Sequence, residues 1–193
     1  MKSHRNKLDP GSAPSPSGST GQSSDEPIFV IQKHKARTLH YDFRLQVSGV
    51  LKSWAVPRGP STDPQQKRLA VPTEDHPLDY ACFEGVIPEG EYGAGTVLVW
   101  DTGTYRNLKE EHGKKVPMED SIEAGHVIVW LEGEKLKGGY ALIRTRKGND
   151  QRWLLIKMND EEADAHRNPV ETQPESVLTG RTIEQIEQEA RQR

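Results

Sequence analysis

A single cysteine, Cys82, is all the thiol this chain of 193 residues carries. One thiol closes no intrachain disulfide and builds no cysteine-rich zinc site, and it fits a reducing compartment. Long apolar runs are missing too. No stretch approaches the ~18–20 apolar residues of a membrane-spanning helix, and the opening Met1-Lys-Ser-His-Arg-Asn-Lys7 has no hydrophobic signal core. A cytoplasmic protein without membrane attachment is the expectation. Hydrophobic residues make up only 33% of the chain against 28% charged, so the folded core should be shorter than the chain. The length suits one domain with tails, as a monomer, better than two domains. A formal net charge of −3 gives no global signature of nucleic-acid binding. The charge is uneven, however. Ile28 to Tyr80 holds eight Lys and Arg against five Asp and Glu, whereas Asn159 to Arg193 holds four against nine. A basic working region beside an acidic tail suits a local phosphate-binding patch.

Helical periodicity is scarce, and short β-rich runs separated by turn residues dominate. Residues 1–27 are rich in Ser, Gly and Pro and read as a flexible arm. Strands are expected at residues 28–33, 39–47, 50–56, 67–71, 96–101, 126–132, 139–146 and 151–157, with Gly103 opening a further partner. Ser48-Gly49 marks a hairpin turn, and residues 74–80 read as a polar loop carrying His76. Residues 85–95, with four Gly, read as a tight irregular loop without the ending of a P-loop. Residues 118–124 are the one mid-chain helix candidate, and 182–190 suggest a short, weakly amphipathic helix. The reading is an all-β fold: a closed or nearly closed β-barrel of about eight strands over residues 28–158, with one or two short flanking helices. Residues 159–193 would form an acidic tail, helical in part. Trp54, Trp100, Trp130 and Trp153 are expected in the core or at the barrel mouth.

One stretch concentrates chemistry: His34-Lys-Ala-Arg-Thr-Leu-His40-Tyr-Asp42-Phe-Arg44-Leu45. Alternation from Leu39 to Val47 puts His40, Asp42 and Arg44 on one strand face and Tyr41, Phe43 and Leu45 on the other. With His34 folding back from the preceding segment, two imidazoles and a carboxylate make a nitrogen/oxygen donor set suited to a divalent metal. Arg44 beside it would hold a phosphate in bidentate fashion. The same residue types also occur on ordinary exposed strand faces, so this pattern alone leaves both readings open.

Three further motifs follow in order: Leu51-Lys-Ser-Trp-Ala-Val-Pro-Arg58-Gly-Pro, Glu74-Asp-His76-Pro-Leu-Asp-Tyr80, and Phe83-Glu-Gly-Val-Ile-Pro-Glu-Gly-Glu-Tyr92-Gly-Ala-Gly95. Together with the first, they closely resemble the 3′-phosphoesterase domain of bacterial ATP-dependent DNA ligase D, from about Ile28 to Lys157, and the chain looks like a stand-alone member. The resemblance implies a β-barrel enzyme that trims 3′ ends in break repair by non-homologous end joining. It would remove a terminal ribonucleoside and then the 3′-phosphate from a primer strand, with manganese as the favoured metal. It also implies His34, His40 and Asp42 as metal ligands, Arg44 and His76 as phosphate contacts, Tyr80 as an active-site tyrosine and Arg68 as a basic residue of the monoesterase step. Arg58 stands where many members have Lys, which keeps the charge but not the point-donor geometry. The family's N-terminal arm usually contributes a Lys-Arg-Asp-Phe run and a Glu; here only Lys7-Leu-Asp9-Pro10 comes near, leaving Asp9 as the candidate equivalent.

Two alternatives stay open. One is a non-catalytic module that binds nucleic-acid ends and recruits a ligase or polymerase, a reading favoured by the altered arm. The other is a phosphoesterase for RNA or a small cyclic phosphate. The expected substrate is primer-template DNA with a 3′-ribonucleotide or 3′-phosphate end, and the expected partners a DNA ligase, a polymerase or a Ku-type end-binding protein. The donor set would also accept Zn, Co or Fe.

Overall fold

The computed structural model describes residues 25–193; Asp9 and nearly all of the expected arm lie outside the described residues. In chain order the strands are β1 (Ile28–Lys35), β2 (Leu39–Val47), β3 (Val50–Val56), β4 (Arg68–Pro77), β5 (Gly85–Ile87), β6 (Gly95–Asn107), β7 (Glu110–Glu111), β8 (Lys114–Lys115), β9 (His126–Gly133), β10 (Lys137–Arg146) and β11 (Arg152–Lys157). A 3₁₀ turn covers Leu78–Cys82, and the helices are α1 (Met118–Ala124), α2 (Pro169–Thr172) and α3 (Ile183–Arg191). Strands pair in the order β1-β2-β3-β4-β11-β10-β9-β6, and a further β1–β6 pairing closes the ring. The result is an antiparallel eight-stranded barrel, with β5 added to β6 as an extra strand. Closure leaves few edges to template aggregation. No helix among the described residues is long and apolar enough to cross a membrane.

Alternation sorts the side chains as expected on β2: Tyr41, Phe43 and Leu45 join Phe29, Ile31 and Trp54 in the main core. Ser48 and Gly49, at φ 51° and 80°, make the left-handed two-residue turn between β2 and β3. Trp54, Trp100 and Trp153 are buried in that core. Trp130 is not. It is half-buried, with the Arg106 guanidinium 5.7 Å from its ring centre.

Three elements depart from the sequence reading. The expected loop at 74–80 is partly strand, because β4 runs on to Pro77 and pairs His76 with Leu51. Gly103 opens no new strand but lies inside the thirteen-residue β6. A Cβ there would sit 1.9 Å from the Glu132 carbonyl oxygen, so the glycine serves close strand approach rather than a turn. The segment 159–193, set apart on charge, lies against the barrel: Ile183 and Ile186 of α3 belong to the main core. A capping box starts that helix, Gln185 N–H donating to Thr182 Oγ1 and Thr182 N–H to Gln185 Oε1.

Three core tyrosines give the barrel an alkaline limit. Burial pushes Tyr41 up to about 12 and raises Tyr105 and Tyr140 further. In the unfolded chain a phenol ionises near 10, so below that pH the stabilisation is complete. As pH climbs toward the folded value, the unfolded state alone releases protons and stability falls, by roughly 3 kcal/mol for Tyr41 when complete. Lys135 works the other way. Burial lowers it to about 8, so it adds stability between that value and its ordinary 10.5. The expected result is a urea midpoint that rises from about pH 8 to about pH 10 as Lys135 contributes and then declines, less steeply in Tyr41→Phe. Equal declines in both proteins would refute the assignment.

Candidate metal and phosphate site

The pairing of β1 with β2 brings the polar residues together. His34 lies opposite His40, Gln32 opposite Asp42 and Val30 opposite Arg44. These side chains occupy the face turned away from Tyr41 and Phe43, on the outside of the barrel wall. His34 thus folds back onto this face from the preceding segment, which is itself a paired strand. It sits on β1, a direct cross-strand neighbour of His40, with ring centroids 4.7 Å apart.

His34, His40 and Asp42 each offer a ligand atom, all within 4.8 Å of one another. Asp42 Oδ2 stands 3.6 Å from His34 Nδ1 and 3.3 Å from His40 Nε2. His34 Nε2 is buried and has no hydrogen-bond partner among the described residues. A buried imidazole nitrogen without a partner is costly, and metal ligation is a usual way to keep one. With one carboxylate and two imidazoles, the set fits a divalent cation. Burial works against the Asp42 carboxylate, yet bonds from His34 and His40 and the Arg44 charge outweigh it and hold Asp42 well below the usual carboxylate range. His40 feels burial as well, and Asp42 more than offsets it, so its pKa is raised.

Arg44 is 3% exposed and almost fully engaged. Its Nε donates to Gln32 Oε1 at 2.7 Å and Nη1 to Ser53 Oγ at 2.8 Å, with Nη1 also 3.1 Å from His76 Nδ1. Its Nη2 lies 3.4 Å from Asp42 Oδ2, and the guanidinium carbon 5.2 Å from the Tyr80 ring centre. A guanidinium has five N–H donors. Nε and Nη1 carry the hydrogen bonds, the one to His76 depending on its tautomer, while Nη2 makes only the ion pair with Asp42 and keeps its hydrogens for a ligand.

His76 reaches the site from β4. Its Nδ1 is also 2.9 Å from the Glu74 carbonyl oxygen, so it accepts from Arg44 in one tautomer or donates to Glu74 in the other. Burial and then the Arg44 charge lower its pKa, which keeps the ring neutral near pH 7. Tyr80, on the 3₁₀ turn, lies 4.9 Å from the His76 ring and 5.2 Å from Phe83, stacked on the latter. Burial raises the Tyr80 phenol, so it stays protonated.

What holds this roof was not foreseen. Gln32 is fully buried; its Nε2 donates to the Tyr80 and Phe83 carbonyls at 2.9 and 3.2 Å while its Oε1 takes the Arg44 bond. Below, Leu78, Tyr80 and Ala81 pack on a second small core of Val30, Leu51 and Val99. Glu84 then ties the roof to the C-terminal segment. It accepts from Val99 N at 2.9 Å, from Thr179 Oγ1 at 2.8 Å, from Arg181 Nη2 at 3.2 Å and from Ser176 Oγ. The one sequence signal was Gln32 itself, a polar residue inside the apolar run that opens the fold.

His34, His40, Asp42, Arg44, His76 and Tyr80 all line one cavity of about 390 Å³, with Thr73, Ile87 and Tyr92 on its walls. Arg58 and Arg68 do not line it. Arg68 donates to Gln66 Oε1 at 3.0 Å; burial, then the nearby Arg58 charge, lowers its pKa. They form a separate cationic pair.

The family described as DNA Ligase D 3′-phosphoesterase domain matches residues 32–144. A Pseudomonas aeruginosa protein, "Multifunctional non-homologous end joining protein LigD", is 45% identical over 188 residues, which is 95% of this chain and 22% of that protein. The Mycobacterium tuberculosis "Multifunctional non-homologous end joining DNA repair protein LigD" is 50% identical over 137 residues, 71% of this chain and 17% of that protein. A Mycolicibacterium smegmatis LigD is 48% identical over 133 residues. This chain thus spans about a fifth of the length of the curated relatives it matches. With the family match covering more than half of its residues, the chain belongs to the DNA ligase D 3′-phosphoesterase domain family.

Proposed function

We propose that this chain is a metal-dependent phosphoesterase that processes 3′ ends in DNA repair, removing a 3′-terminal ribonucleoside, a 3′-phosphate or both to leave a 3′-hydroxyl. The observation that carries the reading is the convergence of His34, His40 and Asp42 with Arg44 and His76 in one cavity. A divalent ion held by the two imidazoles and the carboxylate, manganese being the ion the family resemblance favours, would supply Lewis-acid polarisation of the phosphate and an activated nucleophile.

The remaining steps belong to side chains. Arg44 offers its Nη2 group to a phosphate oxygen where negative charge builds in the transition state. When Arg44 donates to His76 Nδ1, the His76 proton is fixed on Nε2. A neutral ring of that tautomer serves as a hydrogen-bond donor to the phosphate better than as a proton donor to the leaving oxygen. Tyr80 supports the plane of the guanidinium. Arg58 and Arg68, outside the cavity, act on strand phosphates away from the reacting one. Only a ribonucleotide end brings a 2′-hydroxyl, which supplies the chemical handle for selecting it.

The test is a 5′-labelled primer-template ending in one 3′-ribonucleotide or a 3′-phosphate, incubated with and without manganese. Manganese-dependent conversion to a 3′-hydroxyl product is expected. Tight binding without any product would instead establish the non-catalytic end-binding module.

A further inference from the structure

The cavity has two unlike halves. Its floor is the charged set of His34, Asp42, Arg44 and His76; its outer wall is Ile87 and Tyr92, contributed by β5 and the glycine-rich loop after it. Tyr92 is 71% exposed, and among the described residues it is the one Phe, Tyr or Trp side chain left open to solvent. No other ring among the described residues stacks on it. Its loop is nevertheless built into place. Gly90 and Gly93 take φ of 89° and 77°, and at Gly95 a Cβ would lie 2.2 Å from the Lys35 carbonyl oxygen. The loop is thus pinned against the end of β1, one residue from the metal-ligand candidate His34, and it presents the phenol ring at the cavity mouth. An uncovered aromatic ring beside a phosphate position suits one class of partner: a planar, apolar-faced group covalently next to a phosphate.

We propose that Tyr92, backed by Ile87, forms a nucleobase subsite, on which the base adjoining the phosphate at Arg44 stacks. The inference rests on the phosphoesterase reading and adds the element that places the strand end. Stacking on an aromatic ring tolerates any base, because every base has a π-face. The subsite therefore selects for the presence of a base and not for its identity. A phenol exposed to this degree contributes little to folding, so its removal is a clean perturbation.

The experiment compares two primer-templates carrying a 3′-phosphate, identical except that one has an abasic sugar at the 3′-terminal position. Affinity is read by fluorescence anisotropy without added metal, so that no turnover intervenes. The wild-type protein is expected to favour the base-bearing end by about 5- to 150-fold, the ratio equivalent to ~1–3 kcal/mol for one stacked base. In Tyr92→Ala that preference should fall to near one, while Tyr92→Phe and Tyr92→Trp keep it. A thermal melt checks that each variant is folded. A wild-type protein indifferent to the base, or a Tyr92→Ala variant that keeps the full preference, overturns the subsite. The phosphoesterase reading fails separately: a wild-type protein that shows the base preference but releases no phosphate with manganese retains the subsite and loses the enzyme.

Discussion

Replacing His40 by alanine should lower manganese-dependent turnover on a 3′-phosphate primer by roughly 10³-fold or more, since the bound ion would supply several kcal/mol of transition-state stabilisation. Metal affinity should fall by more than the ~10–100-fold typical of losing a supporting contact to a ligand. His40 is the informative member of the set. Its side chain is 20% exposed, against 9% for His34 and 8% for Asp42. Truncating Asp42 would also strip the buried Arg44 of its counter-charge, and an unpaired buried charge costs ~3–5 kcal/mol; lost activity would then be confounded with lost fold. For His40→Ala the stability change should stay within about 1 kcal/mol. One coupling has to be removed first. The raised pKa of His40 means that its protonated form, paired with Asp42, stabilises the fold below pH 6.5 and that this contribution vanishes as pH rises through the folded value. Comparison at about pH 8 leaves metal ligation as the difference. Calorimetric titration with manganese, the primer assay and a thermal melt give the three readouts. Wild-type turnover in the folded variant would show that His34, His40 and Asp42 do not form the working site.

The part of this site that could be read before the structure is the part written on one strand. Period-two alternation from Leu39 to Val47 separates Asp42 and Arg44 from Tyr41, Phe43 and Leu45, and the core keeps that division. What alternation did not reveal is that both faces are covered. Asp42 and Arg44 are 6% and 3% exposed, with Tyr80 of the 3₁₀ turn over the Arg44 guanidinium and the turn packed on Val30, Leu51 and Val99 beside them. Such a cover is a tertiary fact: Gln32 reaching Tyr80 and Phe83, and Glu84 reaching Thr179, span 48 to 95 residues of sequence. The burial of Arg44 explains why its Nε and Nη1 donors are spent inside the protein. The C-terminal helix was legible as a short helix over 182–190, but its docking on the barrel was not. Two buried isoleucines in nine residues set too narrow an apolar stripe to separate a docked helix from a marginal one. The polar run 74–80, broken by Pro77, reads as a loop around His76. Proline is tolerated where a strand ends, and β4 ends there.

Arg44→Lys should separate the phosphate contact from the metal. The ammonium keeps one positive charge near Asp42, so the carboxylate is not left without a counter-charge and the ligand set should survive; manganese affinity is expected within about tenfold of wild type. Catalysis should not survive. Lysine has no planar fork, and a single nitrogen cannot meet Gln32, Ser53, His76 and Asp42 at once, as the guanidinium does at 2.7 to 3.4 Å. Without the Nη1 donor, nothing fixes the His76 proton on Nε2, and without Nη2 the phosphate loses its preorganised hydrogen bond. Losing such a donor typically costs ~10²–10³ in rate. The folded state should weaken by ~2–4 kcal/mol as Gln32 Oε1 and Ser53 Oγ lose their partner. The roof stays in place, because Gln32 Nε2 still donates to the Tyr80 and Phe83 carbonyls. A variant that loses manganese binding as His40→Ala does would merge the two roles. One that keeps wild-type turnover would move the phosphate contact elsewhere, with His76 and the separate Arg58–Arg68 pair as the remaining cationic or donor groups to test.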